Sequence, residues 1–310
     1  MKTVETEKIT LAFGAAGGQP TAVEIPVGAV IQRTYWHNVW RRVSRDPFTV
    51  ACALVLTVVA AAALFAPWLG LPEPTLTNSA NRLLPVGSPG HLLGTDELGR
   101  DMFSRLIYGG RLSLMMGILP VLVALLVGGT LGLIAGFVGG RVNMLIMRIT
   151  DVFYAFPSIL LAVAIAGSLG AGIGNALLAI TIVFIPPLTR VTESVTTQVR
   201  AMDFVEAARA SGAGTFTIIR IHVLGNVLGP IFVYATVLIS VSIVISAGLS
   251  FIGLGASPPD AEWGLMLNTL REAIFLAPLN SVLPGFMIFI ASMCFNLISD
   301  GLRSAMDVRL

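Results

Sequence analysis

The sequence predicts an all-α integral membrane protein with six transmembrane helices and both termini in the cytoplasm. Three observations carry this. Of 310 residues, 55% are hydrophobic and only 12% charged, whereas a soluble domain carries about 25% charged residues; half that leaves too little polar surface to face water. The chain divides into uncharged apolar runs long enough to cross a hydrocarbon core of about 30 Å. Lys and Arg, finally, are distributed very unequally between the segments that join those runs.

Residues 1–47 are polar and low in pattern, and end in a basic stretch of Arg33, Arg41, Arg42 and Arg45. Phe48 to Leu69 then runs without a charge and forms the first span, 48–69. It is too long and starts too late for a cleavable signal peptide, although Ala61-Ala62-Ala63 has the small-residue form of a cleavage site. Residues 70–111 are polar and rich in Pro and Gly, and are expected outside. A five-helix core, 112–310, follows. Leu112 to Gly140 is its first helix and the second span, and Arg141 to Asp151 a short polar interruption. Val152 to Thr189 is uncharged; as one helix it would be about 57 Å long, nearly twice the membrane core. Gly167, Gly170, Gly172 and Gly174 favour a turn near its middle, so two spans are expected, 146–167 and 174–190. Residues 191–226 are polar. Val227 to Gly253 and Ala273 to Ser299 are the fifth and sixth spans, joined by the polar loop 254–272.

With the N-terminus inside, fourteen of the 19 Lys and Arg fall in inner segments and five (Arg82, Arg100, Arg105, Arg111 and Arg271) in outer ones. Basic residues accumulate on the cytoplasmic side, so an even number of spans and the charge bias support each other. Net charge is +2, with no basic field of the kind that binds nucleic acid. Cys52 and Cys294 lie in apolar runs and read as packing residues, and His37, His91 and His222 match no metal-ligand spacing.

Within the spans, Gly128, Gly132, Gly136 and Gly140 are each four apart and lay a groove of small residues along one helix face, suited to a close helix contact. Pro120, Pro157, Pro186, Pro187 and Pro284 fall inside or at the ends of spans and favour kinks. Asp151 follows Arg148 by three residues, so the two can pair on one face, either as a neutralised pair at a helix end or as a polar group at the inner mouth of a pathway. No chain of buried Asp, Glu or His suits a proton-coupled carrier, and no paired carboxylates or Ser/Lys arrangement suits an intramembrane enzyme.

Residues 191–226 are too long and too patterned for an ordinary connection. Met202 to Ala210 has helical spacing with Asp203 and Glu206 near its start, where negative charge suits the helix dipole. Ser211-Gly212 stops it, and Thr215 to Leu224 is a second short helical pattern. Ala207, Ala208 and Gly212 would let another surface approach the backbone; alternatively the pair rests on the membrane as an amphipathic surface.

Glu206-Ala207-Ala208-Arg209-Ala210-Ser211-Gly212, with Leu224 twelve residues beyond that glycine, resembles the EAA loop of binding-protein-dependent ABC importer permeases. The proline usual after the leucine is Gly225 here. The run Gly94 to Arg105, the segment Asp151 to Pro157, Leu249 to Gly255 with Pro258-Pro259 and Glu262-Trp263-Gly264, and the ending Phe295 to Arg303 resemble the dipeptide/oligopeptide "C-type" permeases in order over residues 40–310. The resemblance implies a type I ABC importer permease in the bacterial cytoplasmic (inner) membrane, and a coupling role for Asp203, Glu206, Ala207, Ala208, Gly212 and Leu224. It also implies four kinds of neighbour: two ABC ATP-binding subunits, a second homologous permease, an external substrate-binding protein, and lipid. The only lysines, Lys2 and Lys8, cannot complete a P-loop. No cofactor is expected on this chain, no catalytic or metal site either, and ATP would be bound by the partners. Di- or oligopeptides are the expected cargo. Glutathione, nickel complexes and oligosaccharide-like solutes are alternatives on the same machinery, and an ion-coupled secondary carrier is the rival mechanism.

Overall fold

The computed structural model describes residues 8–13, 21–26 and 35–306; Lys2, Arg33 and Arg309 of the charge count lie outside them. Lys8–Phe13 (β1) and Thr21–Pro26 (β2) form an antiparallel pair, Lys8 opposite Pro26. Ile9, Leu11 and Phe13 alternate with Lys8, Thr10 and Ala12, the period-two signal of a strand inside a segment read as low in pattern. The body that follows is helical.

Tyr35–Val43 is α1 and Pro47–Leu64 is α2. Asp46 starts α2 by accepting from the Thr49 amide at 3.2 Å, with Pro47 in the first turn. The helix stops five residues before the end of the apolar run. Pro67 brings no N–H to continue it, and the Arg111 guanidinium donates to the freed carbonyls of Ala63 and Leu64 at 2.6 and 2.7 Å. Residues 65–101 fold over this end of the bundle. Met102–Val138 (α3) is capped by Asp101, whose carboxylate accepts from the Ser104 amide at 2.8 Å. It begins ten residues ahead of the uncharged run because Arg105, in its first turn, is buried against Asp96.

Gly139 and Gly140, at φ +70° and +54°, end α3 in a conformation that a side chain disfavours. Gly140–Tyr154 (α4) and Ser158–Leu169 (α5) then meet at 84° across Ala155–Pro157. The span expected over 146–167, with its kink-favouring Pro157, is therefore two half-helices. Pro157 cannot donate to the turn before it and disfavours helical backbone at Phe156. Ile173–Arg200 (α6) runs ten residues past the expected end at 190. Asp203–Ala210 is α7 and Thr215–Thr217 is α8. Wide π-helical turns over Ile218–Val223 carry α8 straight into Leu224–Phe251 (α9). The second short helix expected in the loop is thus the base of the fifth span. Trp263–Leu270 (α10) and Pro278–Met306 (α11) complete the chain.

Among the described residues five helices are long and apolar enough to span a membrane, six if the bent pair crosses once. The packing of α3 on α6 shows that it does. Gly128 faces the Ile185 carbonyl, Gly132 that of Thr189 and Gly136 that of Glu193. Both series advance by four residues in the same direction, so α3 and α6 run parallel, and α4–α5 must return the chain between them. A Cβ at Gly128 or Gly136 would lie 2.7 Å from the facing carbonyl oxygen; glycine is what allows the backbones to touch. Gly140 is not part of this ladder. With a positive φ it opens α4 and meets nothing.

One end of the bundle is closed by polar chemistry inside a protein shell. Asp96 accepts from the Arg100 amide and side chain at 2.9 and 2.6 Å and pairs with Arg105 at 3.3 Å, all three being buried. Arg105 also donates to the Pro74 and Asp260 carbonyls. Trp263, fully buried, donates to the Leu106 carbonyl at 2.9 Å. Glu262 caps α10 by accepting from the Gly264 and Leu265 amides and from Ser113. Burial pushes its carboxyl upward, against those hydrogen bonds, which hold it down. The run 94–105 and the Glu262-Trp263-Gly264 motif are therefore two halves of one cap.

Candidate functional site

At the opposite end, α6 projects past the bundle and hands the chain to α7. Residues Arg200 and α7 hold that projection in place. The Arg200 guanidinium reaches the Gly136 carbonyl at 3.4 Å, at the end of α3, where a cation suits exposed carbonyls. Arg209 lies over the Phe137 ring at 5.6 Å. Glu193, on α6, accepts from Asn143 of α4 at 2.6 Å. The parallel helices α3 and α6 are thereby tied to each other and to α7 at this end.

Helix α7 is amphipathic at helical spacing. Val205 is fully buried, in one cluster with Phe137, Ile218 and Val223, and Ala208 is half-buried against it. Asp203, Phe204, Glu206, Ala207, Arg209 and Ala210 are exposed. Asp203 and Glu206 occupy its first turn, where their charge offsets the unpaired amides. The stop is a Schellman motif: the Ala213 amide donates to the Ala208 carbonyl and the Gly212 amide to that of Arg209, at 3.0 and 2.9 Å. This needs a left-handed residue, and Gly212 has φ +81°. An open notch lined by Thr197, Arg200, Glu206 and Arg209 lies between α6 and α7.

The structure brings Asp203, Glu206, Ala207, Ala208 and Gly212 together on this one element and its cap. Ala208 turns inward, so Ala207 rather than Ala208 presents the small surface. Leu224 stands apart as the first residue of α9, half-buried and lining an apolar groove with Leu125 and Phe232. Arg148 and Asp151 are not paired. Asp151 forms its ion pair with Arg190 of α6, while Arg148 is exposed. The spacing of three allowed a pair, but the packing of α4 on α6 offers Asp151 a partner on a second helix. Neither Arg190 nor Arg200 stands out in the sequence: the first reads as an ordinary basic residue at the edge of an apolar run and the second as one more charge of a polar segment. Their partners, Asp151 and Gly136, lie 39 and 64 residues away.

Comparison with known proteins agrees with this architecture. The glutathione transport system permease protein GsiD of Pectobacterium atrosepticum is 41% identical over 278 residues, covering 90% of this chain and 92% of the relative. The dipeptide transport system permease protein DppC of Alkalihalophilus pseudofirmus is 42% identical over 275 residues, covering 89% and 90%. A chain of the MetNI methionine ABC transporter, solved in inward-facing conformations, has the same fold, with a TM-score of 0.55 at 18% identity over 66% of this chain and 97% of that one. Residues 34–85 match the N-terminal transmembrane domain of oligopeptide transport permease C. With parallel helices α3 and α6 bracketing a returning bent pair, an amphipathic α7 beyond them, and a family model matched over 128–310, the chain belongs to the binding-protein-dependent transport system inner membrane components, as a multi-pass, non-catalytic permease subunit of an ABC importer.

Proposed function

We propose that this permease moves short peptides inward, and that α7 is where a partner ATPase drives it. The family works with ATP-hydrolysing and substrate-binding partners. In our reading two ATPases sit on the cytoplasmic side, a second homologous permease completes the pore, and an external binding protein delivers the cargo. The observation that carries the coupling role is the build of α7. It is a short helix fixed by Val205, by the Gly212 cap and by Arg209 over Phe137, yet it leaves Glu206, Ala207 and Ala210 uncovered. A lever must be rigid toward its own core and bare toward its driver. Because α8 is continuous with α9, displacing α7 would move the ends of α6 and α9 as bodies, a rigid-element mechanism for switching access.

The cytoplasmic placement of α7 rests on the excess of Lys and Arg at that end. The peptide assignment rests on the dipeptide and glutathione permeases among the relatives. Glutathione is itself a short peptide bearing free carboxylates, so both names fall within one chemical class. The test is cross-linking in the assembled transporter. With Cys52 and Cys294 replaced, Ala207→Cys should form a bismaleimide product with the ATPase subunit, whereas Thr77→Cys at the other end should not. A transporter that imports its cargo yet never yields the Ala207→Cys product would overturn the coupling role.

A further inference from the structure

Asp151 and Arg190 are the two charges that bracket the uncharged stretch Val152–Thr189. Folding returns that stretch on itself and sets the charges against each other, each side chain remaining nearly half exposed, 42% and 46%. The Arg190 guanidinium also lies 4.9 Å over the Tyr154 ring. Tyr154 belongs at the same time to the wall of a cavity of about 240 Å³ formed by the α4–α5 break, α6 and α9. Phe156, Phe184 and Tyr234 supply further aromatic wall, and Pro186 and Pro187 line its α6 side. One small cavity thus has a cation at its edge, over Tyr154, and aromatic side chains in its wall. A simple neutralising pair would not require that aromatic wall.

We propose that this cavity is a transient station for the transported solute, which presents a carboxylate to Arg190 in exchange for Asp151, and its ammonium or amide N–H groups to the aromatic side chains. The inference rests on the peptide-importer reading and narrows it: the cargo is recognised here as a zwitterion with a free carboxylate. Asp151 is the resident counter-ion. It keeps the guanidinium paired when no solute is present, because an unpaired charge within a span is costly. Cation–π and charge-assisted hydrogen bonds suit the two poles of such a molecule. Loose wall contacts suit a site that must release what it binds.

The experiment uses the complete transporter, purified with its partners and reconstituted in vesicles, with ATP-dependent uptake of radiolabelled dialanine and glutathione compared at equal amounts of assembled complex. Arg190→Gln should lower uptake about tenfold or more, the scale of a lost charge-assisted hydrogen bond. Arg190→Lys, which keeps the charge, should recover part of it. The double variant Asp151→Asn/Arg190→Gln removes both charges and should stay as low as Arg190→Gln. Wild-type uptake by the double variant would show that the two residues only neutralise each other, and would overturn the proposal, as would unchanged uptake by Arg190→Gln. A wild-type transporter that imported neither compound would instead overturn the peptide reading, and this inference with it.

Discussion

At the scale of single residues, glycine decides how closely the two parallel helices approach. Gly132 sits opposite the Thr189 carbonyl, with the Thr192 Cβ 2.6 Å from where its own Cβ would stand. Gly129, three residues earlier, is met only by Leu125 at 4.0 Å, the edge of contact. Gly132→Ala should therefore force α3 from α6 and cost about 1–3 kcal/mol, as overpacking does. Gly129→Ala should be neutral or slightly stabilising, by up to about 1 kcal/mol, because alanine is the better helix former. Thermal unfolding of the two variants in detergent checks this directly; equal melting temperatures would refute the ladder. Arg111 and Arg200 do related work, each satisfying carbonyls at a helix end that proline or glycine has freed.

At the scale of elements, the informative unit is α7 with its cap. Its eight residues cannot form a stable helix alone in water. What holds it is Val205 in the core and the Schellman bonds closed through Gly212. Gly212→Val would place a β-branched residue at φ +81°, a strain of about 1–2 kcal/mol. The expected outcome is a protein that still inserts and assembles but shows weaker Ala207→Cys cross-linking to the ATPase, since the cap sets the angle between α7 and α9. Cross-linking at the wild-type yield would mean that α7 is held by Val205 alone. The bent pair α4–α5 belongs to the same scale. Its break at Pro157 opens the aromatic cavity, and a straight helix of the same length would close it.

At the scale of the whole molecule, parallel α3 and α6 determine the topology. If α3 ends on the α7 side, the bent pair must cross, α9 must return and α11 must come back. The helical body then starts and finishes on the α7 side, where Arg42 of α1 reaches the Ala305 carbonyl of α11. The cap of Asp96, Arg100, Arg105, Glu262 and Trp263 lies at the other end. In intact cells a membrane-impermeant maleimide should label Thr77→Cys from outside and leave Ala210→Cys unlabelled until the membrane is opened. The reverse pattern would invert the orientation. Labelling of both from outside would break the six-crossing count.

The sequence by itself determined that this chain lives in a membrane, which apolar runs are long enough to cross it, and that a short helix ending at Ala210 is stopped at Gly212. Those properties are local: hydropathy, helical period and the left-handed turn are each written within about twenty neighbouring residues. It also carried the family through motifs that stay in register whatever the packing. Only the tertiary structure decided which charge pairs with Asp151, that the bend at Pro157 is an 84° break, that Gly140 leaves the glycine ladder, and that the second helix of the loop is the base of α9. It also joined the 94–105 and 262–264 motifs into one cap. Each of these depends on which helix faces which. Spacing along one chain limits the partners a residue can reach, but the choice among them is made by packing between helices, which in lipid is governed by close contact and satisfied polar groups rather than by hydrophobic pattern.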